Sequence, residues 1–204
     1  MSFYPHRSEA LEAIARKIIS QYDPCLLDAP APIPVEDIME NVYGLTMEFQ
    51  YIRKNGRILG ETVFEDTLVP IYERRNREGY KMVTVKAGTV IIDVSLIDNR
   101  NDGRYRYTCA HELAHWVIDK DYFRENVTMA AMTDKADKSS ETGANVERQA
   151  DRMASCILMP KGTIKRAFYN NFNRKRDITA YMADLFEVSQ QAMGIRLTAM
   201  GLLY

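Results

Sequence analysis

Arg104-Tyr105-Arg106-Tyr107-Thr108-Cys109-Ala110-His111-Glu112-Leu113-Ala114-His115-Trp116-Val117-Ile118 is the stretch that orders the rest of the chain. Tyr107, Ala110, Leu113, Ala114 and Val117 recur at helical spacing, which predicts a helix with an apolar stripe. Residues four apart lie on one helix face, one above the other, so two imidazoles at that spacing can converge on one ion. His111 and His115 meet the condition, with Glu112 between them, and they are two of only three histidines in 204 residues. The plain alternative is a helix that carries two core or surface histidines.

A catalytic zinc takes three protein ligands and keeps a fourth position open for water. His6 lies far from any supporting motif. In the extended pattern H-E-x-x-H-x-x-G-x-x-H a glycine turns the chain back to a third ligand; here Ile118 takes the glycine position and Asp121 the last one. The second route uses a glutamate on a later helix, with an acid four residues on that orients a histidine. Glu147 is the only glutamate in the chain with an aspartate at i+4, Asp151. Glu147 is therefore the expected third ligand and Asp151 its supporting acid. A solvated helix face is the competing reading, since Arg148 and Arg152 are adjacent. Glu112 is the expected general base, because a carboxylate beside an acidified water can take its proton as it attacks a carbonyl. Twelve tyrosines and no further nearby histidine leave the oxyanion donor unassigned.

Working outward, Leu11, Ala15 and Ile18 with Ile14 and Ile19 predict an amphipathic helix over residues 9–19, ending before Asp23-Pro24. Ala29 to Pro34 is an extended connector, and 35–41 a short helix closed by Gly44. Residues 45–72 are rich in β-type side chains, broken at Lys54-Asn55-Gly56 and Glu65-Asp66, and predict two or three antiparallel strands; 89–94 fits another. Residues 119–145 are polar and read as surface loop. A second helix spans 146–158, and helices over 178–187 and 190–200 follow, with Ser189 as N-cap between them. The fold expected is α+β: a small twisted, largely antiparallel sheet packed with the motif helix and a second ligand-bearing helix, then a helical C-terminal region. The division expected is 1–160 for the metal-binding domain and 161–204 for the C-terminal segment.

With 46% hydrophobic and 27% charged residues, the chain should fold as a globular domain. A formal net charge of -1 gives the whole molecule no electrostatic reason to seek nucleic acid or an anionic membrane. No secretory leader or membrane span is recognisable, so the expected location is the cytoplasm, without membrane partners. Cys25, Cys109 and Cys156 are odd in number and lack C-x-x-C spacing; they are read as reduced core residues.

The segment 106–115, followed by Glu147-Arg148-Gln149-Ala150-Asp151-Arg152-Met153-Ala154 and Leu158-Met159-Pro160, resembles the ImmA/IrrE family of metallopeptidases. The similarity extends to the N-terminal helix, the proline connector and the strands ahead of the motif. The resemblance implies a gluzincin-like site with one Zn2+ per chain on His111, His115 and Glu147, and Glu112 as base. It also implies an intracellular endopeptidase that cleaves a helix-turn-helix repressor and so derepresses genes of a mobile element or a stress response. Ala114 departs from the family's more frequent glycine before the second histidine; alanine is small and favours helix.

Residues 183–192 with Arg196-Leu197 look like a helix-turn-helix, approached by Lys161, Lys165, Arg166, Arg174, Lys175 and Arg176. Nucleic acid is therefore a secondary candidate partner through the C-terminal segment, although the would-be recognition helix offers one basic residue. The alternative to the protease is a DNA-binding or protein-binding transcriptional regulator that keeps the fold without turnover.

Overall fold

The computed structural model describes residues 6–73, 79–98, 102–120 and 141–203. The chain runs through α1 (Ser8–Tyr22), a 3-10 turn (Pro24–Leu27), α2 (Val35–Asn41), β1 (Thr46–Gln50), β2 (Gly60–Thr62), β3 (Thr67–Glu73), β4 (Gly79–Val85) and β5 (Thr89–Asp93). Then come α3 (Ser95–Asp98), α4 (Asp102–Ala114), a π-helical segment (His115–Asp119), α5 (Glu141–Leu158), α6 (Lys161–Asn171), α7 (Ile178–Phe186) and α8 (Gln190–Ala199). The architecture is α+β, with a helical C-terminal region.

Val90-Ile91-Ile92 is apolar without alternation because β5 is covered on both faces. Val90 and Ile92 point into the main core with α1, α2, α4 and α5, whereas Ile91 packs with Ile52, Val63, Val69, Ile71 and Val85 under the β3–β4 ribbon. The antiparallel meander expected from residues 45–72 gives way to a mixed sheet of order β1-β5-β2, in which β1 runs parallel to β5 and β2 antiparallel to it. The partner of β3 is β4, in register Pro70↔Met82, and no strand was expected over Gly79–Val85 although Tyr80, Met82 and Thr84 alternate with Lys81, Val83 and Val85.

Helix α4 crosses the sheet next to β2, and its other side packs on α5, which lies beside α1. The α1 stripe is as expected: Leu11, Ala15, Ile18 and Ile19 are buried. Helix α5 begins five residues earlier than the apolar spacing suggests. Most of the expected 119–145 loop, Asp121 included, lies outside the described residues. Cys109 and Cys156 are buried, but Cys25, read as a core residue, is exposed on the short 3-10 turn. Burial pushes the Cys109 thiol up to about 12, so it stays protonated packing material.

The C-terminal helices share the main core. Ile164, Phe168, Met182, Phe186, Met193 and Leu197 belong to the same buried cluster as Leu11 and Ile18. Ser189 caps α8 as expected, accepting from the Ala192 N–H. Gly103 at the start of α4 lets the α7–α8 turn approach, since a Cβ there would stand 3.1 Å from the Ser189 nitrogen. Arg196, the basic residue of α8, is 7% exposed. Its guanidinium meets Glu12 Oε1 at 2.8 Å and donates to the Met159 carbonyl from Nε and Nη2 at 3.1 and 2.8 Å. It is thus committed to the interior rather than to phosphates. Arg196→Ala leaves Glu12 and that carbonyl short of a partner, and should cost about 3 kcal/mol, since removing one member of a buried pair strands the other. Urea unfolding checks this; a loss under about 1 kcal/mol would mean that water replaces the guanidinium.

Candidate metal centre

One turn of α4 and the first residue of the π segment present His111 and His115 toward α5. Their Nε2 atoms are 3.0 Å apart, and the rings meet edge to face. From α5, Glu147 places Oε2 at 3.5 Å from His111 Nε2 and Oε1 at 3.8 Å from His115 Nε2. One donor atom from each of the three residues lies within 4.8 Å of the others, a group that could hold a metal ion. Two nitrogens bound to one tetrahedral ion at 2.0–2.1 Å stand roughly 3.3 Å apart, close to what the imidazoles already show. Two imidazole lone pairs cannot face each other at 3.0 Å, so a proton or a cation belongs between them. The donor set therefore fits a divalent ion with N and O preference.

The outer nitrogens are also held. His111 Nδ1 is 3.0 Å from Asp151 Oδ1, the contact expected for that acid, and His115 Nδ1 is 3.0 Å from Asp119 Oδ2. Burial pulls the His111 imidazole down, but hydrogen bonds to Asp151 and Glu147 and the charge of Glu112 outweigh it and push the group up to about 10. A cation at the site competes with that proton.

Glu112 lines the same cleft as the ligand set and also reaches β2. It is 5% exposed, and its Oε2 accepts from the Thr62 hydroxyl at 2.8 Å. Gly60 and Thr62, two apart on the strand, present the same face to α4. A Cβ on Gly60 would lie 2.5 Å from Glu112 Oε1, so the glycine is what allows the carboxylate to sit against the strand.

The cleft over these groups, about 230 Å³, is lined by Arg57, Leu59, Arg104 and Tyr107 besides the ligand set and Glu112. Of the tyrosines among the described residues, only Tyr107 lines it; its hydroxyl donates to the Asp151 carbonyl at 3.0 Å. Burial and the nearby Asp151 charge push that phenol up, so it remains a donor. Three contributors had no place in the sequence-based site: Asp119, Thr62 and Gly60. Of these only Asp119 left a signal, an acid four residues after His115.

The family model Peptidase_M78, described as the IrrE N-terminal-like domain, matches residues 93–198, just over half of the chain and all of the centre except β2. The chain belongs to this family. The ImmA/IrrE resemblance read from the motif blocks is thereby shown. A Mycobacterium tuberculosis transcriptional regulator shares the fold, with a TM-score of 0.53 and 14% identity over 93% of this chain. The chain corresponds to 46% of that regulator's length. No curated protein matches the chain. No helix among the described residues is long and apolar enough to cross a membrane.

Proposed function

We propose that the chain is a zinc-dependent metallo-endopeptidase that acts inside the cell on a helix-turn-helix transcriptional repressor. The observation that carries the hydrolase reading is the convergence of His111, His115 and Glu147 within 4.8 Å, with Glu112 on the same helix turn. Membership of Peptidase_M78 supports peptide as substrate. The family's regulatory role and the likeness to a transcriptional regulator support a repressor as target.

His111, His115 and Glu147 would hold the zinc, which when bound acidifies a water and polarises the scissile carbonyl. Asp151 and Asp119 keep the two imidazoles oriented through Nδ1, so that both Nε2 atoms point inward. Glu112, fixed by Thr62, takes the proton of the attacking water and passes it to the leaving amine.

The rival reading of a DNA-binding regulator without turnover is weakened by the interior position of Arg196, the one basic side chain of its would-be recognition helix. Metal content and cleavage measured together decide between the readings. Purified protein is expected to carry close to one zinc per chain, lost in His111→Ala and Glu147→Ala, and to cleave a co-expressed repressor only when the metal is present. A zinc-free unaltered protein, or cleavage that persists through chelation, would overturn the proposal.

A further inference from the structure

The two histidines are not supported alike. The Asp151 side chain is 55% exposed, so water shares its hold on His111. The Asp119 side chain is 1% exposed and the His115 imidazole 7%. A carboxylate removed from water so completely is unfavourable unless its lone pairs are met by donors. Asp119 meets them on both oxygens: Oδ2 faces His115 Nδ1 at 3.0 Å, and Oδ1 accepts from Gln149 Nε2 at 3.3 Å. Gln149, itself 5% exposed, is fixed at its other end, where Oε1 accepts from the backbone N–H of His6 at 2.6 Å. His115 and Asp119 stand at the two ends of the π segment, a wider turn of the kind often found where a helix carries a functional side chain. Gln149 comes from α5, between Glu147 and Asp151.

We propose that Asp119, held by Gln149, is the positioning residue of His115. It fixes the imidazole with its proton on Nδ1 and keeps Nε2 turned toward His111 and Glu147, and so sets the metal affinity of the centre. The proposal rests on the metal-centre reading above. A buried acceptor is neither screened nor replaced by solvent, so loss of Asp119 has a larger effect than loss of the exposed Asp151. The His6 backbone, just ahead of α1, is the last link in the same chain of bonds.

Zinc affinity is measured by competition with a chelating dye for the unaltered chain and for Asp119→Ala, Asp119→Asn, Gln149→Leu and Asp151→Ala. The His115 Nδ1 proton is followed by NMR in the zinc-loaded protein. Supporting outer carboxylates are typically worth about 10–100-fold in metal affinity. Asp119→Ala should fall near the upper limit, roughly 100-fold, and Asp151→Ala near the lower, roughly 10-fold. Asp119→Asn, which keeps a carbonyl acceptor, should recover most of the loss and retain the imidazole proton signal, whereas Asp119→Ala should lose that signal to exchange. If Asp119→Ala does not fold, Gln149→Leu carries the test: weaker zinc binding and faster exchange of the same proton are expected. Unchanged affinity and exchange in the variants overturn the proposal alone. An unaltered chain that takes up no zinc overturns the centre, and this proposal with it.

Discussion

Glu112→Gln should retain a full complement of zinc and lose about 10²–10⁴-fold in the rate of repressor cleavage, the range that a positioned general base supplies. The substitution is nearly isosteric and the Thr62 hydroxyl can still donate to the amide oxygen, so the side chain stays where Oε2 now sits. None of the three atoms in the metal-binding group belongs to Glu112, which is why metal content and turnover should separate. The pair of measurements is single-turnover cleavage and metal analysis on the same preparation. Retention of more than a tenth of the rate would remove Glu112 from the role of base. Loss of zinc along with activity would mean that its charge is needed to hold the ion.

What the sequence made legible were relations that local geometry enforces. His111, Glu112 and His115 were readable because helical periodicity alone puts the two imidazoles on one face. Glu147 with Asp151 was readable because the same spacing recurs on a later helix, and His111 does meet both residues. Relations set by tertiary pairing were not. The parallel register Thr46↔Thr89 joins segments more than forty residues apart, and nothing in the β-type run at 45–72 names a distant partner. Thr62 and Gly60 serve the site only because β2 lies against α4, so a threonine and a glycine in a short strand carry no mark of their task. Asp119 was misplaced for a different reason: the polar run that begins with it reads as loop, whereas the backbone continues past His115 as a π turn. Arg196 shows the converse. A basic side chain on a helix-turn-helix pattern reads as surface, but three of its nitrogens are occupied inside the protein.

Gly60→Ala should lower turnover by about 10²-fold while leaving zinc content and folding close to normal, the size of loss expected when a catalytic group is displaced by about 1 Å. The added Cβ would stand 2.5, 2.7 and 2.8 Å from Oε1, Cγ and Cδ of Glu112. One side must yield. The strand is held by its ladder to β5, with Gly60 opposite Ile92, so the backbone has little room to retreat. The Glu112 side chain can rotate, at the expense of its Thr62 hydrogen bond and of its aim at the water. The loss should therefore appear in kcat rather than in KM or in the unfolding midpoint. Comparison with Glu112→Gln separates this from a general disturbance of the cleft. If the glycine acts only by making room for the carboxylate, the double variant is no slower than Glu112→Gln alone. Additive losses would instead place Gly60 in contact with the peptide, as a position on β2 where the substrate backbone passes too close for any side chain.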